Sequence, residues 1–121
     1  MRHFVIACLL ITALAARVNA GENADSIHDG HIHYDQDVWD TLPPADAIRM
    51  LKRQNITRAL VSATPAEGAE MLYRADPEGV IPMLRPYISW RHRYRWFYDP
   101  AREPYRLDLM ARVPFGGFGE C

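Results

Sequence analysis

The chain has 121 residues, of which 49% are hydrophobic, 24% charged and 11% aromatic, and its formal net charge is -1. That balance excludes a collagen, a coiled coil, a disordered acidic tail and a strongly basic nucleic-acid module, and the length allows one domain at most. Two cysteines, Cys8 and Cys121, cannot build a disulfide scaffold.

Residues 1–20 read as a secretory signal. Met1-Arg2-His3 is a short basic start, residues 4–16 are apolar apart from Thr12, and Val18-Asn19-Ala20 presents small or tolerated residues to a signal peptidase. Spanning a bilayer takes about 20 apolar residues, and Arg17 closes this run too early for that. Cleavage before Gly21 removes Arg2 and Arg17, leaving twelve basic against fifteen acidic side chains, a formal charge of -3. The expected location is the periplasm or the exterior, with no membrane attachment after cleavage.

Strands and helices then alternate. Residues 26–34 predict a strand, and Pro43-Pro44 presets a helix carrying Ala45, Ile48, Met50, Leu51 and Gln54 at helical spacing. Residues 58–63 form a compact apolar run of strand length. A second helix is expected over 66–75, with Glu67 and Glu70 early and Arg74 late, as the helix dipole favours. Asp76-Pro77-Glu78-Gly79 reads as a turn, 80–86 as another buried strand, 102–113 as a helix and 115–120 as the start of a further strand. The pattern predicts an α/β fold with three to four parallel strands. A closed (β/α)8 barrel needs about 250 residues, so the expectation is an incomplete piece of a longer protein.

The chemistry concentrates at Asp29-Gly30-His31-Ile32-His33. Strand alternation puts Asp29, His31 and His33 on one face and His28, Gly30 and Ile32 on the other. Two imidazoles at i and i+2 converge on one cation, and zinc accepts imidazole nitrogen at about 2.0–2.1 Å. Asp29 is positioned to bind the same ion or to hydrogen-bond a ligating histidine. Five histidines in 121 positions produce roughly 0.2 such pairs by chance, so a polar strand end with two solvated histidines is the alternative.

The stretch Ile27-His28-Asp29-Gly30-His31-Ile32-His33, followed by a helix and then Leu60-Val61-Ser62-Ala63, resembles the opening of the amidohydrolase superfamily of metal-dependent hydrolases. The tail Gly116-Gly117-Phe118-Gly119-Glu120 is similar to a later-strand segment of its amidohydrolase-related and TatD-type members. The resemblance implies the N-terminal portion of a (β/α)8 TIM barrel over residues 21–121. It implies a divalent metal, zinc first among the candidates, held by His31, His33 and Glu120. The implied activity is attack of metal-activated water on an amide, ester or related bond of a small-molecule substrate. The family's further histidines and its general-base aspartate come from later strands, and His92 matches none of them.

Residues 85–106 hold six arginines and seven aromatics against Asp99 and Glu103. Such interleaving suits an anionic planar ligand or single-stranded nucleic acid. The competing expectation, favoured by the acidic mature chain, is a surface loop whose aromatics pack down while the arginines face water. Arg85, at a strand end, is a candidate for binding an acidic substrate. Asn55-Ile56-Thr57 fits a glycosylation acceptor. Asp35, Asp37 and Asp40 lack the spacing of a calcium loop and read as a solvated turn. Two other readings stand beside the hydrolase: a small exported module binding anions or nucleic acid through residues 85–106, and an inactive truncated product with an exposed sheet edge.

Overall fold

The computed structural model describes residues 26–120; the signal read over residues 1–20 and Cys121 lie outside the described residues. Four strands, β1 (Ile27–His33), β2 (Ile56–Ser62), β3 (Val80–Leu84) and β4 (Gly117–Phe118), form one sheet in the order β1-β2-β3-β4. All three pairings are parallel. The crossovers carry α1 (Pro44–Arg53), α2 (Glu67–Ala75) and α3 (Arg102–Arg112). The expected α/β alternation with a parallel sheet is therefore present. None of the helices among the described residues is long and apolar enough to cross a membrane.

Local chemistry explains the helix ends. Pro44 opens α1 at a position whose N–H has no helical partner anyway, Asp46 lies in the first turn, and Lys52 and Arg53 lie in the last. Asn55 then takes a left-handed backbone (φ 58°), a conformation that asparagine tolerates, and its carbonyl accepts the Ile27 N–H at 2.9 Å. The chain thus turns out of α1 directly into β2, two residues earlier than the apolar run begins.

The core lies between the sheet and the helices. On β2 and just beyond it, Ala59, Val61 and Ala63 face the helices and are fully buried, packing with Ala47 and Ile48 of α1 and with Ala69 and Leu72 of α2. Leu60 and Ser62 line the opposite face with Met83 and Phe118. A smaller cluster of Ala66, Leu84 and Leu109 seats α3. Glu70, buried on α2, pairs with Arg74 on its own helix and with Arg112 of α3. In α1 the buried stripe is Ala47, Ile48 and Leu51, whereas Met50 points outward and is 42% exposed. The helix is rotated from the face its apolar spacing suggests.

Two expectations are corrected in part, while Arg91, Arg93 and Arg95 do face water. In residues 85–106, Arg85 and Tyr87 are buried, while Trp90, Tyr94, Phe97 and Tyr98 stand exposed. Short-range bonds explain this: His92 N–H to Ser89 O, Arg95 N–H to His92 O and Tyr98 N–H to Arg95 O wind the loop on itself. Its rings consequently meet one another and the arginines rather than the sheet. Asp35 is likewise not in a solvated turn. Its carboxylate accepts the Thr64 N–H beyond β2, and its side chain is only 13% exposed.

Candidate metal centre

The C-terminal ends of parallel strands are where α/β folds build sites, and four such ends meet here. β1 ends in His31-Ile32-His33, with Ile32 packed on the core and the two imidazoles on the opposite face. The pairing with β2 carries one extra residue on β1, because Asp29 faces Ala59 while Ile32 faces Val61. Such a bulge re-aims side chains. Asp29 accepts the His31 N–H at 2.9 Å. Its carboxylate is engaged with the strand's own backbone, and strict alternation from Asp29 to His31 is broken by the inserted residue.

Nε2 of His31 and Nε2 of His33 lie 2.9 Å apart. Glu120, directly after β4, brings Oε1 to 3.6 Å from His31 Nε2 and Oε2 to 3.4 Å from His33 Nε2. Two donors at about 2.05 Å from a tetrahedral ion are roughly 3.3 Å apart. The three observed edges bracket that separation. Two imidazoles and a carboxylate are also a donor set that divalent zinc, iron, nickel or copper accepts. His31, His33 and Glu120 together can hold a metal ion.

The path to Glu120 explains the glycines before it. Gly116 donates to Pro82 O and Gly119 to Leu84 O, both at 2.9 Å, which lays the segment along β3. A Cβ at Gly116 would sit 2.6 Å from Ile81 Cγ2, and one at Gly119 would fall on Ser62 Oγ and 3.2 Å from Arg85 Cγ. Both positions need hydrogen in place of a side chain so that the tail can lie flat.

Arg85, at the end of β3, is the buried support of the site. Its Nε donates to the Glu120 carbonyl at 3.2 Å, and Nη1 lies 3.2 Å from His33 Nδ1 and 4.0 Å from Asp35 Oδ1. Asp35 Oδ2 is 3.6 Å from the same His33 nitrogen. His33 Nδ1 thus faces a donor and an acceptor. With the guanidinium donating, the neutral ring carries its proton on Nε2 and gives it to His31. Metal binding through Nε2 requires the other tautomer, and Asp35 is then the acceptor for Nδ1–H.

Of the residues singled out by sequence, His31, His33 and Glu120 converge, Arg85 lies behind them, and Asp29 is turned to the backbone. Sequence reading missed Asp35, although it continues the i, i+2 series of His31 and His33. His92 is not part of the trio and braces the loop: Nδ1 accepts the Ile88 N–H at 3.1 Å, and Nε2 faces Asp99 at 3.1 Å. Comparison of the chain with protein-family models, with curated proteins and with solved structures found no match.

Proposed function

We propose that the chain is the N-terminal part of an exported metal-dependent hydrolase of the amidohydrolase type, that its sheet opens a (β/α)8 barrel, and that the ion is zinc. The observation that carries this reading is the convergence of His31, His33 and Glu120 at the C-terminal edge of a parallel sheet. The sequential strand order supports the barrel, since a doubly wound sheet reverses its order partway. Three protein donors leave a fourth position for water or substrate, the pattern of catalytic rather than structural zinc.

When bound, the ion supplies a nucleophile at neutral pH from water and polarises the carbonyl under attack. The protein's part is to bring the two Nε2 atoms and the Glu120 carboxylate together, with the His33 proton moving from Nε2 to Nδ1 when the ion binds. Arg85 fixes the Glu120 backbone, and Asp35, 3.6 Å from His33 Nδ1, is the anion placed to face that nitrogen once it carries the proton. In the net reaction, the bond from the carbonyl carbon to the leaving nitrogen or oxygen breaks and a water oxygen replaces it. The leaving group takes up the proton.

Equilibrium dialysis with elemental analysis tests the site, with about one zinc expected per chain. His31→Ala and His33→Ala should each lose most of it while keeping the circular dichroism of the parent. Hydrolysis of an amide, ester and lactone panel, with and without chelator, tests the activity. Undiminished zinc in both variants refutes the reading. Export is checked by N-terminal sequencing of the native protein, which should begin at Gly21.

A further inference from the structure

The arginine-aromatic loop carries a second feature. The Arg93 guanidinium lies 5.3 Å from the Trp90 ring centre and 4.6 Å from that of Tyr94, and Arg85 lies 5.0 Å from Tyr87 and 5.6 Å from Trp90. Cations and rings alternate across the loop. The acids of the stretch are already engaged, Asp99 with His92 and the Ala101 N–H and Glu103 with Arg106. Among the described residues no ion pair uses Arg91, Arg93 or Arg95.

Arg85, Tyr87, Arg93, Tyr94 and Glu120 line a pocket of about 450 Å³. Glu120 is also a member of the metal trio, so pocket and trio share a wall. The Arg85 guanidinium is engaged with the Glu120 carbonyl and His33, which leaves Arg93 as the cation with donors to offer.

We propose that this pocket anchors the substrate and takes a small planar organic anion, with the Arg93 fork on its carboxylate or phosphate and the exposed Tyr94 ring beside its flat body. The inference rests on the reading of the trio as a hydrolytic centre, since it assigns that centre's substrate class. Three physical reasons support it. A guanidinium pairs with either oxyanion through two parallel hydrogen bonds. Stacking between Trp90 and Tyr94 restrains Arg93 before the ligand arrives, which lowers the ordering cost of binding. The unpaired arginines also give the pocket mouth a positive potential that draws anions in.

The test is calorimetric titration of the full 121-residue chain with benzoate, phenyl phosphate and uncharged benzamide, first in chelator and then with zinc. Chelator removes direct coordination of the anion by metal. Benzoate or phenyl phosphate should bind at least about tenfold more tightly than benzamide, and Arg93→Ala should erase that margin. Arg91→Ala, which does not line this pocket, should keep it. The tighter of the two anions identifies the oxyanion, and either supports the proposal. Benzamide binding as tightly as both anions, or Arg93→Ala binding them undiminished, overturns it. Zinc titration of the same samples separates the two readings: loss of zinc binding in His33→Ala upholds the metal centre whichever way the anion result falls.

Discussion

Substituting Gly119 by alanine tests whether the geometry of the tail sets the metal site. Gly119 has an ordinary backbone conformation, so what the position requires is space. An added Cβ would fall on Ser62 Oγ, 3.3 Å from Ser62 Cβ and 3.2 Å from Arg85 Cγ. Ser62 is buried on a central strand and Arg85 is buried at the end of the next. The tail therefore moves away from the sheet, carrying Glu120 with it. Losing the orientation of one metal donor costs about 10–100-fold in affinity, or roughly 1.4–2.7 kcal/mol. Competition with a chromophoric zinc chelator measures this directly. The double variant Gly119→Ala/Ser62→Ala removes the offending oxygen and should recover much of the loss, because the remaining contacts are tight but tolerable. Parental zinc affinity in Gly119→Ala refutes the argument, and so does a deficit that Ser62→Ala leaves unchanged.

Four further outcomes follow from the same structure. Gly68→Ala on α2 would bring a Cβ onto the Tyr34 carbonyl oxygen and 2.7 Å from Ala63 Cβ. Despite alanine's better helix propensity it should destabilise by about 1–3 kcal/mol in urea unfolding; a gain in stability would contradict the packing described. Tyr105→Phe removes the hydroxyl that accepts the buried Ala66 N–H and donates to Glu67. Burial, with Glu67 beside it, pushes the Tyr105 pKa up, and its loss should cost about 1–3 kcal/mol through the orphaned N–H. Lys52, bonded to Asp76 at 2.9 Å, is the largest cause holding that carboxyl below its usual range, with burial opposing it. A lowered folded-state pKa stabilises above the unfolded value, about 3.9, and is lost as pH falls through the folded one. The stability difference between the parent and Lys52→Met should therefore be about 0.2–1 kcal/mol at pH 7 and shrink below pH 4, as unfolding at both pH values would show. Asp35→Asn removes the anionic acceptor for His33 Nδ1–H and should weaken zinc binding about 10–100-fold at unchanged fold.

The sequence made the frame legible because each signal was local. The apolar run of β2, the Pro43-Pro44 helix start and the Asp76–Gly79 turn each act over a few residues. The His31 and His33 pair was equally readable, since two side chains on one strand need no knowledge of the rest of the fold. Glu120 was reachable only through a resemblance, because 87 residues separate it from His33 and only the sheet order brings them together. The bulge at residues 29–32 was not legible: it is a property of the β1–β2 pairing, invisible in β1 alone. The exposed rings of residues 90–98 were misread for a similar reason. Composition says that aromatics bury, whereas the short-range bonds of the loop keep these away from the sheet.

The charges around the trio explain why a buried arginine is compatible with a cation site. A lone guanidinium 3.2 Å from a ligating imidazole would oppose a divalent ion. Asp35, 4.0 Å from Arg85, offsets that charge, and Glu120 supplies a further negative one. Arg85, Asp35 and Glu120 together sum to -1, which favours a divalent cation. The same arginine holds the Glu120 backbone by its carbonyl, so the positive group that would weaken the site also places its third donor. Removing Arg85 would relieve the repulsion and release the carboxylate together. That coupling makes Arg85 a poor first mutation and Asp35 a better one, since Asp35 alters the charge and the His33 tautomer without releasing Glu120.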